Sequence, residues 1–122
     1  MHPMHPEYRY RATVASVYDG DTFRADVDLG FSAWLKNVSF RLFGLNTPEI
    51  RGGTPETKAA GYAARDRFLE LAPIGTPVLI ESTKAGKYGR YLADVFVEQP
   101  DGAVLHVNQM LLDEGHAVPY MV

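Results

Sequence analysis

From Thr22 to Leu29 the chain alternates polar and apolar residues. Phe23, Ala25, Val27 and Leu29 are interleaved with Thr22, Arg24, Asp26 and Asp28. A period of two marks a strand with one buried face. The stretch before it, Tyr8 to Val17, is rich in β-branched and aromatic residues and reads as another strand. Asp19-Gly20-Asp21 joins the two as a turn, because Asp and Gly accept the dihedrals of a tight reversal. A third strand is expected over about Lys36 to Leu45, with Val38, Phe40 and Leu42 on one face and Ser39, Arg41 and Phe43 on the other. Asn46-Thr47-Pro48-Glu49 ends it, since Pro48 has no amide hydrogen to give to a ladder.

The period then lengthens. Arg51-Gly52-Gly53 reads as a loop, Thr54 as a helix N-cap and Pro55 as the first helical residue. The helix is expected to run to about Ala72, with Ala60, Ala64, Phe68 and Leu71 near one face, until Pro73 and Gly75 stop it. Pro77–Ser82 and Tyr91–Glu98 read as two more strands around a basic turn. Pro100-Asp101-Gly102 is a turn. Val107–Glu114 reads as a short helix ended by Gly115. The order β-β-β-α-β-β-α predicts an α+β fold. Five strands with a helix between the third and fourth suggest an OB barrel. Residues 1–7 read as a flexible arm and 8–122 as one domain. Trp34 and the six phenylalanines are expected to pack the barrel.

Composition narrows the picture. A chain of 122 residues closes one hydrophobic core. There is no cysteine, so disulfides and thiolate metal sites are excluded. No apolar run is long enough for a membrane helix. The first six residues lack the basic and apolar segments of a signal peptide, which slightly favours a cytoplasmic setting. A monomer is the default expectation. The net charge of −3 argues by itself against a nucleic-acid binder. Its distribution argues the other way: Lys84, Lys87 and Arg90 fall together with no acid among them, a local positive patch on an acidic body.

The candidate chemistry lies at turns and strand ends. Asp21 places a short carboxylate beside a turn, where a hard cation such as Ca²⁺ takes oxygen ligands, although Asp-Gly turns are common in any case. Asn46 offers an amide oxygen and Thr47 a backbone carbonyl of the same kind. Glu49 is placed to take a proton from a water. An ordinary Asx turn explains the same residues without chemistry. Arg41 sits within an apolar strand and either faces solvent or grips a phosphate in bidentate fashion. The segment Lys84-Ala85-Gly86-Lys87-Tyr88-Gly89-Arg90-Tyr91 combines cations for phosphates with tyrosines for bases. Phosphodiester hydrolysis needs a cation, a base and cationic donors, and these segments together supply all three.

Val17-Tyr18-Asp19-Gly20-Asp21-Thr22, Phe40-Arg41-Leu42, Asn46-Thr47-Pro48-Glu49 and Lys87-Tyr88-Gly89-Arg90 resemble, in order and spacing, the motifs of the staphylococcal nuclease family. The resemblance covers about residues 8–118. It implies a five-stranded OB barrel and a calcium-dependent endonuclease acting on DNA or RNA and leaving 3′-phosphates. It implies Asp21, Asn46 and Thr47 as metal ligands, with Thr47 acting through its carbonyl. Glu49 is implied as the general base, or the group that positions it, and Arg41 and Arg90 as the phosphate-holding arginines. Lys87 and Tyr88 are implied as substrate contacts, and Lys84 of the same basic turn is expected to join them.

Two departures qualify this. Asn46 stands where well-studied members carry a second aspartate, and an amide brings no charge, so weaker calcium binding is expected. The sequence ends soon after the second helix, so the family's third, C-terminal helix is expected to be missing. His106 and His116 read as helix-flanking residues. The alternative function is an OB module that binds single strands or a protein partner without cutting.

Overall fold

The computed structural model describes residues 8–85 and 90–120, without the side chains of residues 83–85. The strands are β1 (Arg9–Asp19), β2 (Thr22–Gly30), β3 (Ala33–Leu42), β4 (Leu45–Asn46), β5 (Pro77–Ala85), β6 (Tyr91–Glu98), β7 (Val104–His106) and β8 (Val118–Pro119). The helices are α1 (Pro55–Leu71) and α2 (Val107–Asp113). Strands β3, β2, β1, β5 and β6 pair in that order, and β3 returns to pair with β6 in parallel through Phe40–Leu42 and Tyr91–Ala93. That last pairing closes a five-stranded barrel of the expected OB type. β7 extends β6, and β4 pairs with β8 as a separate two-stranded ribbon.

The alternation in β2 holds through Val27 and fails at Leu29, which is exposed where the strand runs out toward the hairpin tip. Phe23, Ala25 and Val27 are buried, and Arg24 is exposed. The ring of Phe23 lies 5.3 Å from that of Phe40 and 5.2 Å from that of Phe68. One phenylalanine therefore ties β2, β3 and α1 together, and offset aromatic pairs add to the area they bury. Thr54 caps α1 in a reciprocal arrangement. Its side chain accepts from the Thr57 N–H, and the Thr57 hydroxyl accepts from the Thr54 N–H.

Several expectations are corrected. β3 starts at Ala33 and stops at Leu42, because the chain turns at Phe43-Gly44 before Leu45 and Asn46 join β8. β5 is longer than expected, reaching Ala85. On α1, Ala64, Phe68 and Leu71 are buried as expected, but the fourth buried residue is Gly61 rather than Ala60. Phe31 is fully exposed and Trp34 is 45% exposed, because the β2–β3 hairpin projects its tip away from the core. Phe43 is exposed as well. The 1–7 arm lies outside the described residues.

Candidate functional site

The Asp19-Gly20-Asp21 turn and the Asn46–Ile50 loop meet against α1. Two glycines allow the contact. A Cβ on Gly20 would lie 2.7 Å from the Ala64 Cβ and 3.0 Å from Cγ2 of Thr47. A Cβ on Gly61 would lie 2.8 Å from the Pro48 carbonyl oxygen and 3.2 Å from the Glu49 carbonyl carbon. The helix thus receives the turn at one glycine contact and the loop at another. Both backbones come closer than any side chain would permit.

Asp21 is the centre of the resulting network and is buried. Its Oδ2 accepts from the Thr47 N–H at 3.2 Å and lies 3.7 Å from Nη2 of Arg41. Its Oδ1 accepts from the Thr22 hydroxyl at 3.2 Å. The Thr22 oxygen in turn accepts from Nη1 of Arg90 at 3.3 Å. Arg41 therefore reaches Asp21 directly, and Arg90 reaches it through Thr22. β3 carries Arg41 directly opposite Thr22 of β2. Arg90 stands just before β6, next to the residue that pairs with Phe40 of β3. Barrel closure therefore brings residues 21, 22, 41 and 90 together.

Arg41 is fixed on three further sides. Nη2 donates to the Leu45 carbonyl at 3.1 Å and to Oδ1 of Asn46. Its guanidinium lies 5.2 Å from the ring centroid of Tyr120, a cation–π arrangement. Tyr120 is brought there by the β4–β8 ribbon and by its own N–H, which donates to the Gly44 carbonyl at 2.9 Å.

Asp19 joins the same cluster. Its Oδ1 accepts from the Ile50 N–H at 3.4 Å. Burial pushes its carboxyl up from the ordinary range, and the negative charges of Asp21 and Glu49 push it further, against the Ile50 N–H and Arg65. Three carboxylates therefore share one end of the barrel, and Glu49 itself is exposed there.

Of the residues the sequence points to, Asp21, Arg41, Asn46, Thr47 and Arg90 meet at one mouth, and Glu49 lies exposed on the adjoining loop, near enough to Asp19 to push its carboxyl up. Lys84 is the penultimate residue of β5, but its side chain, Lys87 and Tyr88 lie outside the described residues. Asp19, Gly20 and Gly61 have no site role in the sequence reading. The first had a signal, since it lies two residues before Asp21.

Could this mouth hold a hard cation? Asp21, Asn46 and Thr47 can each offer it an oxygen, the ligand atom that Ca²⁺ and Mg²⁺ take. Thr47 Oγ1 is buried against Gly20 with no hydrogen-bond partner among the described residues. No group of three or more His, Cys, Asp or Glu among the described residues is arranged to hold a metal by itself. A cation here would need amide or carbonyl oxygens and water as well, which Asn46, Thr47 and the open mouth can supply.

The barrel and its mouth define an OB fold with two arginines converging on a buried carboxylate. Residues 39–122 match the model of the staphylococcal nuclease homologue family, and the chain belongs to that family. The matched segment holds Arg41, Asn46–Glu49 and Arg90; the Asp19–Thr22 turn precedes it. An uncharacterized protein of Methanocaldococcus jannaschii is 33% identical over 132 aligned residues, covering 92% of this chain. The chain spans 60% of that relative's length.

Proposed function

We propose that the protein is a calcium-dependent endonuclease that hydrolyses phosphodiester bonds in DNA or RNA. The observation that carries this reading is the convergence of Arg41 and Arg90 on Asp21, with Glu49 exposed on the adjoining loop near Asp19. The two guanidiniums match the oxygens of a phosphoryl group and stabilise its growing charge. Glu49, exposed at the mouth, takes the proton of an attacking water. The water oxygen bonds to phosphorus, the bond to the 5′ oxygen breaks, and that oxygen leaves as a hydroxyl after taking a proton from solvent water. The phosphate stays on the 3′ side. A hard cation held by Asp21, Thr47 and Asn46 would neutralise the phosphoryl oxygens when bound. The substrate path continues, in this reading, to Lys84, Lys87 and Tyr88.

Digestion of denatured DNA and of RNA in the presence of Ca²⁺, of Mg²⁺ and of chelator tests the proposal. Fragments carrying 3′-phosphates with Ca²⁺, and none with chelator, are expected. Strand binding with no cleavage under any condition would instead identify a silent OB module.

A further inference from the structure

Beside the mouth, on the outer face of β1, β2 and β3, lies a groove of about 370 Å³. Ser16, Val17, Tyr18, Thr22, Arg24 and Ser39 line it. Strand register explains why these residues meet. Asp19 pairs with Thr22 and Thr22 with Arg41, so one row of the sheet belongs to the candidate site. The adjacent row on the same face is Ser16, Arg24 and Ser39. Two residues along a strand separate the rows by roughly 6.6 Å. Thr22, which links Arg90 to Asp21, is a wall of the groove, so groove and mouth are continuous.

Two side chains give the groove its chemistry. Arg24 is exposed between two serine hydroxyls. The Asn37 carbonyl takes one N–H of its fork at 3.0 Å, which orients a group with five donors. Asp26, next along the strand, has its own partners in the Asn37 N–H at 2.8 Å and Lys36 at 3.8 Å. The second side chain is Tyr18, 56% exposed. The β1–β2 register shifts between Val17 and Asp19, so Tyr18 is the extra residue of a β-bulge. Bulges beside functional sites re-aim a side chain. Here a large ring stands exposed at the edge of a groove with a cationic floor.

We propose that this groove is a binding subsite for single-stranded nucleic acid, one nucleotide step away from the phosphate at the mouth. Arg24, flanked by Ser16 and Ser39, takes the neighbouring phosphate, and Tyr18 stacks on the base. The subsite rests on the nuclease reading for its substrate class. Its occupant follows from the continuity with the mouth, from the positive charge of Arg24 and from the exposed ring. A phosphate contact adds salt-sensitive affinity, and a stacking contact adds affinity that does not depend on base identity.

Fluorescence anisotropy of a labelled single-stranded oligonucleotide, with chelator present so that the strand stays intact, tests the subsite. Arg24→Ala is expected to raise Kd about fivefold and to lower the slope of log Kd against log salt by about 0.7. Tyr18→Ala is expected to raise Kd about fivefold or more with the salt slope unchanged, while Tyr18→Phe binds like the parent. A parent that binds but never cuts with Ca²⁺ would remove the nuclease reading and leave the subsite standing. Variants that bind like a cutting parent would remove the subsite and leave the nuclease. A parent without affinity for the strand, or an unchanged salt slope in Arg24→Ala, also overturns it.

Discussion

Gly20 and Ala64 touch so closely that no other residue fits at position 20: an added Cβ would stand 2.7 Å from the Ala64 Cβ, below any ordinary contact. The pair joins the carboxylate turn to α1. Gly20→Ala must push the turn off the helix, and overpacking of this kind costs about 1–3 kcal/mol. Because Asp21 is the next residue, the same variant is expected to lose turnover beyond what its folded fraction explains. Thermal melting and digestion rates at a temperature where the variant is fully folded separate the two effects.

Arg41 and Tyr120 give a second prediction. The ring lies 5.2 Å from the guanidinium and covers its open face. A cation–π contact at a partly exposed site is worth about 0.5–1 kcal/mol, so Tyr120→Leu should cost roughly threefold in kcat/KM. Tyr120→Phe keeps the ring and should stay near the parent. Steady-state digestion of one oligonucleotide by the three proteins decides it.

A third prediction concerns position 46. Asn46 brings an oxygen to the mouth but no charge, and that oxygen accepts from Arg41. Asn46→Asp adds the missing charge, and calcium Kd should fall about tenfold, since ligand charge tunes oxygen sites. Calorimetric titration of both proteins with Ca²⁺ reads the difference, and equal affinities would contradict it.

The acid limb of stability gives a fourth. Arg67 of α1 holds Glu114, just after α2, through two bonds of 2.7 and 2.9 Å. The Arg67 hydrogen bond holds the Glu114 carboxyl below its ordinary value of 4.5. A depressed folded-state value means the pair stabilises the fold above that ordinary value and ceases to do so as pH falls through the lowered one. Glu114→Gln should therefore melt earlier than the parent at neutral pH, with the gap closing in acid. Melting curves across that range check the sign.

Much of this was legible in the residues. The alternation in β2 and the cap at Thr54 depend on neighbours a few positions away, and both elements stand where local chemistry puts them. The candidate residues 21, 41, 46–49 and 90 are legible because each motif is contiguous and lies at a turn or strand. Other features were not. Period two tells which face of a strand a residue occupies, but not that the β2–β3 hairpin outruns the core and carries Phe31 and Trp34 out of it. Asp19 reads locally as a turn former, and only burial beside Asp21 and Glu49 marks it out. Tyr120 reaches Arg41 through pairing of β4 with β8, and Gly61 meets Pro48 across a helix–loop contact. Those contacts join segments whose approach no local pattern encodes.

On the proposed reading, the carboxylate and arginines gathered at one mouth cut phosphodiester bonds. Single-turnover cleavage of a single-stranded oligonucleotide in saturating Ca²⁺, by the parent, Glu49→Gln and Arg90→Ala, tests it most directly. Each substitution is expected to slow cleavage by about 10²-fold or more with the strand still bound, the size of lost base or charge stabilisation. Cleavage by either variant at the parental rate would contradict the account.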